Sequence, residues 1–303
     1  MKKYLILTLF VNFKKRTLAE GNNFYMKRKI LAILLLANQS FAHSLINIQL
    51  PDNLFVRVAV PKKGIVCSNQ DRATRISRIL KNVKTHTSKW GPKIYIGNYK
   101  DQELFIASVP VGSGSGLMFT ELYAAGAEYI IRYGSDDLKN TTEKEEELVK
   151  VINETDNLYG YEKASGVPEE EWGKSIFASP IILKALRDEA IFRKLIIDER
   201  ICHHLENYHA LRNPEKFSPA RAPILKQQLA AIKRTDKNES FDMESAVLFR
   251  VAKDFDKHAA AVLQTVNKKD AKEGPYEGNN RKKAISLERT FTEYVLTSLL
   301  RIN

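Results

Sequence analysis

Short β-rich runs alternate with helical patterns along this chain from about residue 54 onward. The runs are rich in Val, Ile, Phe and Tyr, which predicts strands at 54–60, 64–67, 94–97, 104–109, 129–133 and 259–266. The segments between them predict helices at 116–125, 179–195, 223–233, 241–255 and 287–299. Such alternation is typical of an α/β fold, here a single three-layer domain in which helices flank a parallel or mixed sheet.

Two intervals lack this regular pattern. Residues 139–174 are acidic and polar, which predicts a solvated helix or a long excursion from the domain. Residues 267–283 contain Gly, Pro and Asn at the density of turns, which predicts a loop before the last helix.

The composition is that of a globular protein, with 303 residues of which 44% are hydrophobic and 28% charged. The two cysteines, Cys67 and Cys202, are too few for a disulfide scaffold or a zinc site of four cysteines. The histidines His203-His204 and His209 form no recognisable zinc motif with a Glu or Asp at helical spacing, so we expect no metal site. No apolar stretch reaches the roughly 18 residues that a membrane-spanning helix needs.

The N-terminal segment has the three parts of a secretory signal peptide. Met26 is followed by three basic residues, an apolar run at 30–37 and the small-x-small pattern Ser40-Phe41-Ala42. These features predict a signal peptide at 26–42. The alternative is an apolar N-terminal segment of a cytoplasmic protein.

We therefore expect a leader at 1–42 and a folded domain at 43–303 that is periplasmic or secreted, with no stable membrane insertion once the leader is removed. Eight basic residues and one acidic residue lie in the leader, so the formal net charge of +12 falls to roughly +5 for the domain. This excess requires no nucleic-acid partner, and the chain lacks the interleaved aromatic and basic residues of a nucleic-acid site.

The segment Ser68-Asn69-Gln70-Asp71-Arg72 directly follows a short strand and precedes a helix. A helix N-terminus offers backbone N–H groups and a positive dipole end to an anion. Arg72 in the first turn would add a fork of donors that suits a phosphate. The segment indicates an anion site, with a solvated arginine as the alternative.

Arg132 stands inside an otherwise apolar strand and is followed by Gly134 and Ser135. A buried charge costs several kcal/mol unless it is paired, so Arg132 needs an anionic partner. Ligands of open α/β sheets bind at the carboxyl ends of strands, where this arginine lies. The partner is therefore either a ligand or an internal carboxylate.

Two carboxylates, Asp242 and Glu244, flank Met243 at the start of an apolar helix. Asp242 is well placed to cap that helix. Glu244 could do the same through the helix dipole, or it could accept two hydrogen bonds from vicinal sugar hydroxyls.

In this order, the motifs resemble those of the purine-nucleoside and uridine phosphorylase family. The sequence GLMFTELYAAGAEY followed by IIRYGSDD is similar to that family's small-residue helix, turn and Ile-Arg-x-Gly-Ser/Thr strand. Residues 241–246 resemble its Glu-Met-Glu-Ser/Ala-Ala ribose motif, and 261–268 resemble the strand that carries a base-contacting residue. SNQDR resembles its Gly-Asp-Pro-x-Arg phosphate loop. The resemblance spans about 44–300 and implies a central mixed, partly barrel-like sheet.

The resemblance implies roles for single residues. Arg132 and Ser135 correspond to strand-end phosphate ligands, Arg72 to the loop arginine, and Ser68 to the phosphate-loop glycine. Ribose would be bound by three consecutive residues, Asp242, Met243 and Glu244. The catalytic residues implied are Arg132 and Glu244.

For the base, the resemblance indicates the segment 206–217, where Tyr208 could stack on a base and Arg212 could hydrogen-bond it. Both could equally be surface loop residues. Purine-cleaving members carry an aspartate near Asn267 and Lys268, whereas uridine-cleaving members have Asn followed by a basic residue, which favours a pyrimidine.

The family's Gly-x-Gly stretch falls on 109–111 in an ungapped match, and the nearest glycines, Gly112, Gly114 and Gly116, require a shift.

The sequence thus predicts a nucleoside phosphorylase that uses inorganic phosphate as co-substrate and no cofactor. It is closer to the uridine phosphorylase pattern than to the purine one. The resemblance also implies a homo-oligomer, a dimer or a hexamer. The alternatives are a hydrolytic nucleosidase of the same family and a nucleoside-binding protein that has lost catalysis.

Overall fold

The computed structural model of the protein describes residues 53–136, 148–232, 239–265 and 280–302. The expected leader at 1–42, with its signal peptide, lies outside these ranges and stays a prediction. Within the described residues, none of the helices is both long and apolar enough to cross a membrane.

Ten strands of the described residues form one mixed sheet: β1 (Lys63–Cys67), β2 (Lys81–Thr87), β3 (Lys93–Tyr99), β4 (Gln102–Ser108), β5 (Tyr129–Asp136), β6 (Val149–Asp156), β7 (Ile176–Phe177), β8 (Ile197–His204), β9 (Glu239–Asp242) and β10 (His258–Thr265). Their order is β2-β3-β4-β1-β5-β10-β6-β8-β9, and β7 pairs with β6. β1, β4, β5 and β10 form a parallel group. β6, β8 and β9 form a second parallel group, which joins the first through the antiparallel pair β10–β6.

The helices are α1 (Gln70–Ser77), α2 (Ser115–Ala124), α3 (Tyr159–Ala164), α4 (Pro180–Arg193), α5 (Tyr208–Arg212), α6 (Pro214–Phe217), α7 (Ala222–Ile232), α8 (Ser245–Asp254) and α9 (Asn280–Leu300). α9 packs on α4 and α1, and α8 packs on α2. Both groups contact the sheet and enclose its buried apolar side chains. This arrangement confirms the expected α/β fold with helices that flank a mixed sheet.

Most expected elements are present, although the helix expected at 241–255 begins only at Ser245, because residues 239–242 form β9. The strand expected at 54–60 is wrong, because this segment is irregular. The Glu121 carboxylate accepts hydrogen bonds at 2.7–2.8 Å from the backbone N–H groups of Leu54, Phe55 and Val56. Three successive N–H groups bound to one side chain are not available to a neighbouring strand.

In the described part of 139–174, the expected solvated helix or excursion is wrong at β6, which is mostly buried, whereas α3 is a largely exposed helix. β2 and β8 were not predicted, because β2 is exposed and polar and β8 carries charged residues. α9 begins at Asn280, inside the segment 267–283 that was expected to be a loop.

The Asp136 carboxylate, at the end of β5, joins strands that are not neighbours in the sheet. Lys150 of β6 donates to it at 2.8 Å, and the Ser240 hydroxyl of β9 donates at 2.9 Å. The Phe241 N–H of β9 donates at 3.3 Å. β9 ends the strand order, yet it is bound to β5 near the middle, so the sheet curls. This curvature is the partly barrel-like form that the resemblance implied.

We expect Asp136 to be required for stability. Asp136→Asn removes the carboxylate that pairs with the fully buried Lys150, so the free energy of unfolding should fall by about 3–5 kcal/mol. Urea unfolding followed by circular dichroism measures the change. The control is Lys253→Met, which removes an exposed ion pair with Glu171 and should cost less than about 1 kcal/mol. An equally small change for Asp136→Asn would contradict the assignment.

Candidate active site

The centre of the site is Arg132, whose side chain is 2% exposed and lies between two carboxylates. Its Nη1 lies 3.2 Å from the Asp242 carboxylate, and its Nη2 donates to the Glu244 carboxylate. Burial lowers the pKa of the Arg132 guanidinium, but the charges of Asp242 and Glu244 outweigh it and raise that pKa above its ordinary value. Arg132 therefore stays charged. Of the two partners that the sequence left open, a ligand or an internal carboxylate, the structure shows internal carboxylates.

Gly134 makes room for this arginine. Residues 132 and 134 lie on the same face of β5, and a Cβ atom at 134 would overlap Nη1 of Arg132. Neither Nε nor Nη1 of Arg132 makes a hydrogen bond within the described residues, although Nη1 is paired with Asp242. The guanidinium thus keeps donors for a further anion.

Glu244 stands at the start of α8, where β9 ends. Its Oε1 accepts a hydrogen bond at 2.7 Å from the backbone N–H of Gly112, which has a φ of +74°. Gly112 opens a short 3-10 turn, Gly112–Gly114, between β4 and α2. The family's Gly-x-Gly stretch falls on 109–111 in an ungapped match, but the residue that contacts the ribose motif is Gly112, which matches that stretch only with a shift.

Asp242 binds both the first turn of α8 and the buried arginine, although the N-cap position itself is occupied by Glu244. Its carboxylate accepts from the Ser245 N–H at 3.2 Å and from the Ser245 hydroxyl, as a helix-capping residue does. The same carboxylate is paired with Arg132. Asp242 therefore ties the arginine to the N-terminal end of α8.

Two of the expected phosphate residues, Arg72 and Ser135, meet at the carboxyl ends of β1 and β5. Nη2 of Arg72 donates to the Ser135 hydroxyl at 2.9 Å, and its guanidinium lies 5.2 Å from the centre of the Tyr133 ring. Ser68 is half-buried directly after β1. Asn69 caps α1 by accepting from the Arg72 N–H at 2.8 Å. One N–H that we expected to face an anion is thus bound within the helix.

Glu288 of α9 was missed by the sequence reasoning, although its side chain lies beside the phosphate residues. Arg75 donates to both of its oxygens at 2.8 Å, and Nε of Arg72 donates to Oε2 at 3.4 Å. The carboxylate is 2% exposed. A glutamate in the first half of an amphipathic helix gives no signal of such a contact.

Tyr208 and Met243, the expected base- and ribose-binding residues, both pack on the buried pair Leu205 and Phe241. The Arg212 side chain and the residues Asn267 and Lys268 lie outside what the structure describes, so their base-binding roles stay predictions.

A polar cluster that we did not expect lies beside Gly112. The Glu206 carboxylate accepts from the Ser113 hydroxyl at 2.7 Å and from the Tyr161 N–H at 3.1 Å. The neighbouring His204 ring, whose Nε2 lies 3.7 Å from Oε2, and the Ser113 hydroxyl lower the pKa of Glu206 to about 2. Glu206 is therefore an anion that fixes the 3-10 turn. No group of side chains that could hold a metal ion is present in the described part of the chain.

No protein-family model matches the chain, and no curated protein sequence matches it. Solved structures do match. The uridine phosphorylase from Vibrio fischeri ES114 is 20% identical, with a TM-score of 0.64 over 84% of this chain and 99% of that one. The purine nucleoside phosphorylase from Toxoplasma gondii, in complex with immucillin-H, is 16% identical, with a TM-score of 0.60 over 80% and 91%.

A nucleosidase is similar as well. The 5′-methylthioadenosine/S-adenosylhomocysteine nucleosidase from Campylobacter jejuni is 16% identical, with a TM-score of 0.57 over 78% of this chain and 97% of that one. The similarity spans phosphorolytic and hydrolytic enzymes. The chain therefore has the nucleoside phosphorylase fold, as its motifs implied.

Proposed function

We propose that the protein is a nucleoside phosphorylase, which cleaves the N-glycosidic bond of a nucleoside with inorganic phosphate. The observation that carries the proposal is that β5 brings a buried arginine with its two carboxylates and a second arginine to the end of one strand. Arg132 is paired with Asp242 and Glu244. Ser135, three residues further along the strand, accepts a hydrogen bond from Arg72. In the proposal, the arginines face the anionic nucleophile, and the carboxylates face a sugar that becomes positive.

In the proposed reaction, a phosphate oxygen forms a bond to the anomeric carbon while the bond from that carbon to the base breaks. The electron pair of the broken bond and the proton of the monohydrogen phosphate go to the base, so ribose 1-phosphate and free base result. Arg72, Ser135 and Arg132 would hold the phosphate. Glu244 would orient the sugar and stabilise its developing positive charge.

A uridine-like substrate is part of the proposal. The Asn267-Lys268 pattern supports it, as does the likeness to the Vibrio fischeri uridine phosphorylase. The second candidate function is hydrolysis of the same bond, supported by the likeness to the Campylobacter jejuni nucleosidase. The buried arginines Arg72 and Arg132 favour phosphorolysis, because water as nucleophile needs no cationic site.

We expect the purified chain to release base from uridine only when phosphate is present. Removal of phosphate should lower the initial rate at least about 100-fold, because the reaction then lacks its nucleophile. Base release is followed by chromatography with uridine, inosine and adenosine in parallel. Equal rates with and without phosphate would favour the nucleosidase, and no release from any nucleoside would favour a binding protein.

Glu244→Gln should lower kcat about 100- to 1,000-fold, the loss typical of removing one charge-stabilising group. The amide is nearly isosteric but carries no charge for the sugar. Steady-state rates at saturating phosphate measure the effect. Glu171→Gln, on the surface beside Arg250 and Lys253, is the control and should leave kcat unchanged. A Glu244→Gln enzyme with wild-type kcat would exclude the ribose role.

Gly134→Ala should lower kcat/KM at least about 100-fold, because the new methyl group displaces the Arg132 guanidinium. Arg132→Ala should show a loss of similar size, since both variants remove the guanidinium from its position. Thermal melts of both variants identify loss through unfolding. A folded Gly134→Ala enzyme with wild-type activity would show that the position of Arg132 is not critical.

A further inference from the structure

The C-terminal helix α9 contributes a buried carboxylate to the proposed phosphate site. Glu288 lies 216 positions after Arg72 in the chain, yet their side chains are in contact and both are at most 3% exposed. The inference drawn from this contact rests on the proposed phosphorolysis.

Two contacts fix the Arg72 guanidinium, one at Nε and one at Nη2. Its Nε faces Oε2 of Glu288 at 3.4 Å, and its Nη2 faces the Ser135 hydroxyl at 2.9 Å. A guanidinium is planar, so two such contacts define the orientation of the whole group. The Tyr133 ring at 5.2 Å supports it from a third direction.

Glu288 could instead compete with phosphate for Arg72, but the distances argue against this. Arg75 donates to both carboxylate oxygens at 2.8 Å, which are short, bidentate contacts. The contact with Arg72 is longer and is made through Nε, whereas its Nη2 donates to Ser135. Glu288 is thus held by Arg75 and serves Arg72 as a support.

One more titratable side chain lies close to Arg72, Arg75 and Glu288. Burial raises the pKa of the neighbouring Cys67 thiol to about 12, so this group stays neutral and adds no negative charge.

We infer that Glu288 is a positioning residue for phosphate: together with Arg75 it holds the Arg72 guanidinium so that Nη2 points to Ser135. The phosphate site is then built jointly by the turn after β1 and by α9. Packing of α9 becomes a determinant of phosphate affinity, whereas the ribose side of the site does not depend on it.

The test compares the wild-type enzyme with Glu288→Gln in steady-state kinetics and in calorimetric titration with inorganic phosphate. We expect KM and Kd for phosphate to rise about 10-fold, while KM for the nucleoside and kcat change less than about 2-fold. Glu293→Gln is the matched control, a paired glutamate on the same helix that contacts Arg289. It should leave all four constants unchanged.

If folded Glu288→Gln has unchanged KM and Kd for phosphate, the inference is overturned. Lower values of these constants would also overturn it and would indicate that Glu288 competes with phosphate for Arg72. If Glu288→Gln does not fold, Glu288→Asp replaces it, because it keeps the charge but retracts the carboxylate by one methylene. This variant should raise KM and Kd for phosphate about 3-fold, and no rise would overturn the inference. A wild-type enzyme that neither needs nor binds phosphate would overturn the proposed function, and the inference with it.

Discussion

One interaction organises the candidate site: the pairing of a buried arginine with two carboxylates that approach from a different part of the sheet. An arginine in an apolar strand is tolerated only when its charge is compensated, so Arg132 and the β9–α8 junction must come together during folding. The Gly112 N–H then finds its acceptor on Glu244. The strand, the helix start and the turn after β4 are thereby fixed relative to one another by a single ionic group.

The sequence was most informative where local chemistry is unambiguous. Apolar runs such as those of β1 and β5 indicate buried parallel strands, and the cost of an isolated charge shows that Arg132 needs a partner. The same argument could not choose between a ligand and an internal carboxylate. Both candidate carboxylates were visible in the sequence, but their approach to Arg132 depends on the curl of the sheet, which no local pattern encodes.

Polar residues account for the elements that the sequence did not predict. β6 and β8 carry Lys150, Arg200 and the pair His203-His204, which suggest an exposed segment when the chain is considered locally. In the fold these side chains are buried because they meet polar partners: Lys150 is paired with Asp136, and Nδ1 of His203 is hydrogen-bonded to Asp156 at 2.7 Å. Glu288 was missed for a related reason, since its partners lie more than 200 positions earlier. Long-range charge pairing therefore sets the limit of prediction from this sequence.

The exposed strand β2 also has a consequence for the behaviour of the protein in concentrated solution. Among the described strands it forms one end of the sheet, and the backbone groups at the end of a sheet can pair with the edge of another molecule. Its exposed lysines, Lys81 and Lys84, flank a register shift against β3 that interrupts a flat ladder. At the other end, β9 is turned inward and tied to Asp136. The two ends of the sheet are thus protected from edge-to-edge aggregation by different means, one by charge and irregularity and the other by curvature.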